Sequence, residues 1–271
     1  MPGDPKLSAI STFNIRSADG CSLAVTVEGE PSLPALMFSN SMGADSSMWD
    51  QQVSDLRGGF RIIRYDARGH GRSDPRPGPY SIEMLARDAL SVLDSLEIEQ
   101  AHWCGISLGG IIGQWLGANA PARINRLVLS NTTNYFPNPA PWQARIDAVK
   151  KGGVSAIADA VIAGWLSEEF RTRNPHAAAQ AREMLIGTSN EGYIACCEVL
   201  SRLDQRDLSP QIACPTLVIA GRHDKSTPMD AGEALSQLIP NAGFTVLEAA
   251  HISNIEQPQR FSEQLRSFLH E

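Results

Sequence analysis

The stretch Cys104-Gly-Ile-Ser-Leu-Gly-Gly110 places one serine between small residues, directly before an apolar helical pattern. Its Gly-x-Ser-x-Gly part matches a nucleophile elbow, in which a strand turns sharply into a helix and presents the serine hydroxyl at the end of the sheet. Residues 101–104 predict the strand and residues 111–119 the helix. Ser107 is therefore a candidate nucleophile, and a structural serine in a glycine-rich turn is the alternative. A base, an acid and an oxyanion site elsewhere in the chain would favour the nucleophile.

The composition is that of a globular chain without repeats or biased tracts. Its 271 residues are 42% hydrophobic and 20% charged, which fits one catalytic domain with an insertion. The net charge of -7 argues against a nucleic-acid partner, because such a partner requires a basic surface. It also means that an anionic substrate needs arginine side chains placed locally in the site.

The amino end and the cysteines both predict a cytoplasmic protein. Residues 1–10 (MPGDPKLSAI) lack the charged start and apolar run of a signal peptide, and no later apolar run is long enough to span a bilayer. The five cysteines are odd in number and lack the paired spacing of metal ligands. We therefore expect free thiols, no metal site and no membrane partner.

Short apolar runs alternate with helical patterns along most of the chain. Two alternating runs around Asp19-Gly20 predict a hairpin, and six later runs suit buried parallel strands. The clearest helix runs from its N-cap Ser81 to Leu96. This order predicts an α/β fold with a mostly parallel eight-stranded sheet, helices on both faces and a site at the carboxyl ends of the strands. The predicted strands cover residues 13–16, 22–27, 35–38, 60–65, 101–104, 126–130, 216–220 and 244–247.

The alternation breaks between Asn134 and Asp207. Four segments in that range predict helices, and no strand pattern interrupts them. Because a strand pattern resumes afterwards, the helical stretch is an insertion rather than a separate domain. We therefore predict a core domain of residues 1–133 and 208–271, and a helical cap of residues 134–207.

Six histidines are candidates for the base that takes the proton of Ser107. In an elbow arrangement the base follows the last strand, which selects His251 in LEAAHISNIEQP. The other five are assigned structural or surface positions: an early loop, a strand, the start of a cap helix, the loop before the last strand and the carboxyl end. They are His70, His102, His176, His223 and His270.

A buried acid must fix the tautomer of the histidine and stabilise the imidazolium. Asp224, in AGRHDKSTP, follows the predicted strand 216–220, where such an acid is expected. The other common position, after the strand 126–130, offers only Asn131, which strengthens Asp224. Asp230 opens the next helix, where a carboxylate interacts favourably with the helix dipole.

The oxyanion of a tetrahedral intermediate needs two fixed N–H donors. One is usually the backbone N–H after the nucleophile, here that of Leu108. The second comes from the loop after an earlier strand, here FSNSMGADS at 38–46. Met42 is our choice in this loop, and Ser41 is the neighbouring alternative.

Longer stretches around these residues resemble a known family. The triad pattern is typical of the α/β-hydrolase superfamily, in which a loop like Asp66–Ser73 is also common and is expected to brace the site rather than to react. Asn40-Ser41, where many relatives carry His-Gly, fits one subgroup. The combined stretches look like the 3-oxoadipate enol-lactonases of bacterial aromatic-acid degradation. They cover residues 38–50, 65–88, 103–132 and 249–258.

The resemblance implies an α/β-hydrolase fold and the hydrolysis of an enol-lactone, which carries an acetate side chain, to 3-oxoadipate in the β-ketoadipate pathway. It also implies a serine acyl-enzyme and no metal or organic cofactor. It covers nearly the whole chain, and the cap is its least diagnostic part. Because the chain ends soon after the helix that begins at Pro258, the decarboxylase fused to some relatives is expected to be missing.

The carboxylate of such a substrate needs a cationic or polar partner. Six cap arginines are candidates, although most are expected to be solvated charges on helix faces. We choose Arg145, with Trp142 and Trp165 as candidates for lining the ring pocket, where plain packing is the alternative. The remaining cap arginines are Arg171, Arg173, Arg182, Arg202 and Arg206.

Rival functions share the same three residues. Other carboxylesterases, C–C bond hydrolases and perhydrolase-like enzymes would all use Ser107, Asp224 and His251, so the cap decides between them. The fold also serves as a small-molecule receptor with slow turnover, which an intact triad argues against. The sequence leaves the oligomeric state open.

Overall fold

One sheet of eight strands crosses residues 10–270, the part of the chain that the computed structural model describes. The signal-peptide prediction, made from residues 1–10, lies almost entirely outside these residues. The strands are β1 (Ser11–Arg16), β2 (Ser22–Glu28), β3 (Ala35–Ser39), β4 (Arg61–Tyr65), β5 (Ala101–Ile106), β6 (Ile124–Ser130), β7 (Thr216–Gly221) and β8 (Gly243–Leu247).

The strand order is β1-β2-β4-β3-β5-β6-β7-β8. β2 runs antiparallel to both of its neighbours, β1 and β4, and all other neighbours are parallel. Every residue of β5 and β7 is buried, so helices cover both faces at the centre of the sheet. The predicted mostly parallel sheet and its hairpin are confirmed.

The strand predicted at residues 244–247 differs from the expectation of a buried strand. β8 lies at the edge of the sheet, so only Leu247 in it is buried. The run predicted from residue 60 also begins one residue late, at Arg61. A compact apolar run identifies a strand, but the position of the strand in the sheet, central or at the edge, determines how much of it is buried.

Eleven α-helices lie within residues 10–270. Their residue ranges follow. The helices are α1 (Asp50–Leu56), α2 (Ile82–Ser95), α3 (Leu108–Asn119), α4 (Ala140–Gly152), α5 (Ala158–Trp165), α6 (Glu168–Arg173), α7 (Pro175–Ile186), α8 (Asn190–Leu200), α9 (Met229–Leu238), α10 (Ser253–Glu256) and α11 (Pro258–Leu269).

The helix predicted after Ser81 is present as α2. The Ser81 hydroxyl accepts a hydrogen bond from the backbone N–H of Met84 at 3.0 Å, which satisfies one of the free donors of the first turn. Leu85, Ala89 and Val92 are buried on one side of the helix. Its periodicity therefore marked the face that packs against the core.

Helices α4 to α8 all lie between β6 and β7, in the range 134–207 that was predicted to be helical. Four helical segments were expected, and the fifth, α6, was missed. Its signal was present, because Ser167 caps it by accepting from the N–H of Phe170 and two glutamates follow in the first turn. No helix within residues 10–270 combines the length and apolarity needed to cross a membrane.

Candidate active site

Ser107 forms the turn between β5 and α3. Its backbone has φ 55° and ψ -113°, a conformation that non-glycine residues rarely adopt. The neighbouring strand fixes this turn: the Ser107 N–H donates to the carbonyl of Ser130 at 3.0 Å, and the Thr132 hydroxyl donates to the carbonyl of Ser107 at 2.8 Å. A strained serine held in this way has the geometry of a nucleophile elbow.

Close backbone approach explains the two glycines of the elbow pattern. A Cβ atom on Gly105 would lie 2.1 Å from the carbonyl oxygen of Gly109, and one on Gly109 would lie 2.2 Å from that of Ser39. Both distances are far below van der Waals contact. Any larger residue at either position would therefore push α3 away from the sheet.

Asp224 and His251 meet at the carboxyl ends of β7 and β8. The Nδ1 atom of His251 lies 2.8 Å from Oδ2 of Asp224, and the two residues are only 3% and 5% exposed, respectively. An ionised carboxylate can only accept, so Nδ1 carries the proton of this bond. The Nε2 atom of His251 is then left free to act as a base.

Four further hydrogen bonds reach the Asp224 carboxylate. Oδ1 accepts from the N–H groups of Ser226 and Thr227, at 2.8 and 3.0 Å, and Oδ2 accepts from the Thr227 hydroxyl and the Asn131 amide, at 2.8 and 3.0 Å. Burial acts to raise the pKa of Asp224. His251 and the donated hydrogen bonds outweigh it, so the pKa lies below its ordinary value. Asp224 is therefore ionised near neutral pH.

Sequence reasoning gave no role to Thr227 and treated Asn131 only as a missing acid. Thr227 follows Asp224 by three residues, a spacing at which a turn returns the hydroxyl to the carboxylate. Asn131 follows β6, which lies next to β7 in the sheet. The signal for its role was that Asn131 directly follows the strand beside the one that precedes Asp224.

Ser107 and His251 line the same cavity. Within residues 10–270 their side chains form no hydrogen bond with each other, and the Ser107 hydroxyl has no other partner. Such contacts are often long until a reacting complex forms. The predicted nucleophile and base therefore line one cavity, and the predicted acid, Asp224, contacts Nδ1 of His251.

Two unpaired backbone donors lie beside Ser107. Leu108 is the first residue of α3, and Met42 lies in the loop after β3 and lines the cavity. In the described part of the chain, neither N–H donates a hydrogen bond. The N–H of Gly109 donates to the carbonyl of Asn40 at 3.1 Å, which ties this loop to the elbow. Met42 and Leu108 are the residues whose N–H groups were predicted to form the oxyanion site.

The side chain of Asn40 holds the loop after β3 in place. Its amide donates to the carbonyl of Tyr65 at 3.1 Å, and its oxygen accepts from the indole N–H of Trp49 at 2.8 Å. Both bonds are buried. Asn40 therefore fixes the loop that presents the N–H of Met42.

The cavity beside Ser107 is roofed by helices α4, α5 and α8. Trp142, Arg145 and Trp165, the three side chains chosen from the sequence, all line it. Its volume is about 30 Å³, room for roughly two water molecules. A larger molecule can enter only if side chains or helices that line the cavity move. The complete lining is Ser41, Met42, Ser107, Phe136, Trp142, Arg145, Val161, Trp165, Tyr193, Leu200, Ser226, Thr227 and His251.

Arg145 differs from the other arginines of segment 134–207. Its guanidinium lies 5.1 Å from the ring centre of Trp142 and beside the hydroxyl of Tyr193, and within residues 10–270 it forms no ion pair. The buried Tyr193 hydroxyl has no hydrogen bond of regular geometry there; burial raises its pKa, and the nearby charge of Arg145 opposes that rise. The other five have partners on the protein: Arg171 with Leu166, Arg173 with Glu169, Arg182 with Asp159, Arg202 with Glu198, and Arg206 with Asp204.

The loop Asp66–Ser73 lies outside the cavity. The buried Asp66 carboxylate accepts from the N–H groups of Ser46 and Arg72, at 2.7 and 3.0 Å. The carbonyl of Gly69 accepts from the N–H of Ser189, just before α8, at 3.0 Å. These contacts fit the bracing role predicted for the loop, since they join the loop after β3 to the helical segment above.

The other histidines lie away from Ser107. His102 is buried in β5, His176 is exposed on α7, and His223 pairs with the exposed Glu248 at 3.3 Å. His70 is fully buried, which lowers its pKa, and its Nδ1 atom lies 3.0 Å from the carbonyl of Arg68. The ring of His270 packs on Phe60. None of these histidines lines the cavity.

The sheet order, the elbow and the Asp224–His251 pair after β7 and β8 are typical of one class of protein. A family model for the alpha/beta hydrolase fold matches residues 34–167, which include the elbow. The chain belongs to the α/β-hydrolase family.

Within that family, similar proteins are enol-lactonases. The chain is 39% identical to the 3-oxoadipate enol-lactonase 2 of Acinetobacter baylyi, over 93% of this chain and 95% of that one. It is 36% identical to enol-lactonase 1 of the same organism, over 97% and 98%. The crystal structure of the enol-lactonase from Burkholderia xenovorans superposes with a TM-score of 0.93 at 38% identity, covering 96% of this chain and all of the other. The predicted resemblance is confirmed.

Proposed function

We propose that this protein hydrolyses the ring ester of 3-oxoadipate enol-lactone to give 3-oxoadipate. The observation that carries the proposal is one cavity lined by Ser107, His251 and the unpaired Arg145. A lactone with a carboxylate side chain requires a nucleophile and a cation in the same cavity. The similarity to enol-lactonases along nearly the whole chain supports the same substrate.

In the acylation step, the Ser107 hydroxyl attacks the lactone carbonyl while Nε2 of His251 takes its proton. The N–H groups of Met42 and Leu108 stabilise the oxyanion that forms. When the tetrahedral intermediate collapses, the ring C–O bond breaks and the enol oxygen leaves, receiving the proton from His251. The acyl chain stays bonded to Ser107 and carries the enol that ring opening forms, which then rearranges to the ketone.

In the deacylation step, His251 takes a proton from a water molecule that attacks the acyl ester. The same two N–H groups stabilise the second oxyanion. The C–O bond to Ser107 then breaks, Ser107 regains its proton from His251, and 3-oxoadipate is released. Asp224 keeps His251 in the required tautomer and stabilises the imidazolium in both steps.

Arg145 is the proposed partner of the substrate carboxylate. The face of Trp142 holds its guanidinium, and the Tyr193 hydroxyl supplies a second donor beside it. Trp165 lines the space for the ring. We also propose that residues 134–207 act as a cap on a core formed by residues 1–133 and 208–271, because the roof of the cavity comes from this segment.

The proposal extends to the context of the reaction. The names of the similar proteins point to the β-ketoadipate pathway of aromatic-compound degradation. The free thiols, four of them buried, fit a reducing compartment, so we assign the protein to the cytoplasm. The net charge of -7 supports a small-molecule partner rather than a nucleic acid.

A labelling experiment tests this function. The purified chain is given 3-oxoadipate enol-lactone, ring opening is followed by absorbance, and portions are treated with diisopropyl fluorophosphate before peptide mass spectrometry. Turnover is expected to fall in proportion to the label on the peptide that contains Ser107. Full turnover by a completely labelled enzyme would overturn the mechanism. No lactone turnover alongside rapid p-nitrophenyl acetate hydrolysis would overturn the substrate.

A further inference from the structure

We infer that Asn131 is a positioning residue: its side-chain amide holds the Asp224 carboxylate in place against the loop that carries His251. This inference rests on the proposed roles of Asp224 and His251. Asn131 does not line the cavity and touches no reacting atom, so it would act only through Asp224.

The backbone fixes the location of Asn131. It follows β6 directly, and its N–H donates to the carbonyl of Ile219 in β7 at 2.8 Å. Its φ of 44° is in the left-handed region, which asparagine, aspartate and glycine tolerate better than other residues. The side chain is 1% exposed, so it lies beneath the site rather than at its surface.

The hydrogen bonds of Asn131 settle the orientation of its amide. Its Nδ2 atom lies 3.0 Å from the carbonyl oxygen of Ala250 and 3.0 Å from Oδ2 of Asp224. A carbonyl oxygen can only accept, so the group that faces it must be the NH₂. The amide oxygen accepts from the hydroxyls of Ser130 and Ser253. A flipped amide would lose its bonds to Ala250 and Asp224, because its oxygen would then face two groups that can only accept.

This orientation links the acid to the base through one side chain. Ala250 immediately precedes His251. The two hydrogen bonds that one NH₂ group donates therefore set the distance between the Asp224 carboxylate and the loop that carries His251. An aspartate at position 131 would place an oxygen against two acceptors. The requirement for a donor explains why this second common acid position carries an asparagine here.

The surroundings of Asp224 keep the test simple. Within residues 10–270, His251 is the one titratable side chain that hydrogen-bonds to Asp224. The other donors are the amide of Asn131, the hydroxyl of Thr227 and the N–H groups of Ser226 and Thr227. A new charge at position 131 would therefore act directly on the Asp224–His251 pair.

The test is the pH dependence of Ser107 labelling by diisopropyl fluorophosphate in the full chain. Asn131→Asp keeps the size and the backbone conformation but puts a second carboxylate beside Asp224. Like charges raise the pKa values of carboxylates, and added negative charge raises that of an imidazolium. In a plot of labelling rate against pH, the acidic limb is expected to move to higher pH by about one pH unit or more.

Asn254→Asp is the matched control. Asn254 is equally buried, and its amide donates to the carbonyl of Met48 and to the side chain of Gln52, away from Asp224. This variant is expected to lower the melting temperature and leave the acidic limb where it is. An unshifted limb in folded Asn131→Asp, or an equal shift in Asn254→Asp, would overturn the inference.

A second variant covers the case in which Asn131→Asp does not fold. Asn131→Gly also tolerates the positive φ and removes the amide, so its labelling rate should fall about tenfold. That loss should nearly vanish in an Asp224→Asn background if the amide acts through Asp224. An equal loss in both backgrounds contradicts the role. Labelling needs no lactone, so a failure of the proposed substrate leaves this result unaffected.

Discussion

Ser107 and Asp224 carry unequal shares of the proposed reaction. An enolate leaves more readily than an alkoxide or an amine. Acyl-enzyme formation therefore depends less on proton donation by the imidazolium that Asp224 stabilises. We expect Ser107→Ala to lower kcat by about 10⁴-fold or more, and Asp224→Asn by about 10²-fold. Steady-state rates with the enol-lactone measure both. Equal losses would contradict the reasoning, and a p-nitrophenyl ester provides a second leaving group for comparison.

Arg145 is expected to control affinity rather than the chemical step. A charge-assisted hydrogen bond contributes roughly 1.5–3 kcal/mol, so Arg145→Met should raise KM for the enol-lactone about 10- to 100-fold. kcat should change little, because the carboxylate is remote from the ester. Arg182→Met is the control, since Arg182 pairs with Asp159 at the surface of the same helical segment. An unchanged KM in Arg145→Met places the anion contact elsewhere.

His102 makes stability depend on pH. Burial first, and then the charges of Arg126 and His270, lower its pKa from 6.5 to about 4. The unfolded chain therefore binds this proton more tightly than the folded protein does. The contribution of the neutral His102 ring to the free energy of unfolding is complete above pH 6.5. It is lost as the pH falls toward 4, by up to roughly 3 kcal/mol.

Urea unfolding at pH 7, 5.5 and 4 measures this contribution. His102→Gln removes the titrating ring, so its pH dependence should be flatter than that of the wild type. His176→Gln, on the exposed part of α7, should leave the dependence unchanged. A constant difference between wild type and His102→Gln across this range would show that His102 does not titrate as described.

At the residue level, sequence reasoning reached the side chains whose order along the chain is constrained. Ser107, Asp224 and His251 each follow a strand that the apolar runs predict. Asn131 and Thr227 were missed because their roles depend on which strands are neighbours in the sheet. The N–H groups of Met42 and Leu108 carry no side-chain signal, so only loop position pointed to them. Their catalytic roles remain predictions.

At the element level, one carboxylate joins the end of α5 to the histidine loop. Glu256 accepts hydrogen bonds from the N–H and hydroxyl of Ser167 and from the N–H of Ala250, and the N–H of Ile252 donates to the carbonyl of Trp165 at 2.9 Å. Glu256 is 8% exposed, so water does not replace these bonds easily. The roof of the cavity and the base are therefore coupled.

Glu256→Gln should weaken this coupling. Loss of the charge leaves three donors facing a weaker acceptor, so we expect a stability loss of about 1–3 kcal/mol and a lower kcat with the enol-lactone. Thermal melting and steady-state kinetics measure the two effects. Glu263→Gln, whose exposed carboxylate pairs with Arg260, should show neither. Identical behaviour of the two variants would argue against the coupling.

The elements themselves were largely predictable from periodicity. All eight predicted strand runs needed boundary changes of only one or two residues, because strands that pack against a core give compact apolar or alternating runs. The partial exposure of β8 depends on its edge position, which the run itself does not encode. Helix α6 has only six residues and no periodic apolar face, so its capping signal at Ser167 was the only local clue.

At the scale of the whole molecule, charge and architecture both indicate that the sheet and the helical segment 134–207 have different roles. The sheet presents the proposed nucleophile, acid and base at its carboxyl edge. The helical segment above it supplies Arg145, the proposed anion partner, to a protein whose net charge of -7 repels anions. The order of strands and helices predicted this architecture. The roof of the cavity was not predictable in detail, since five helices can pack above a sheet in many ways.

The most direct measurement of the central claim compares 3-oxoadipate enol-lactone with the methyl ester of its side-chain carboxylate. The two compounds share the ring and the leaving group and differ only in the charge that Arg145 is proposed to bind. The purified chain should hydrolyse the anion with a kcat/KM about 10- to 100-fold higher, and Arg145→Met should abolish most of that difference. Equal or faster hydrolysis of the neutral ester, unchanged in Arg145→Met, would contradict the account and leave a serine hydrolase with another substrate.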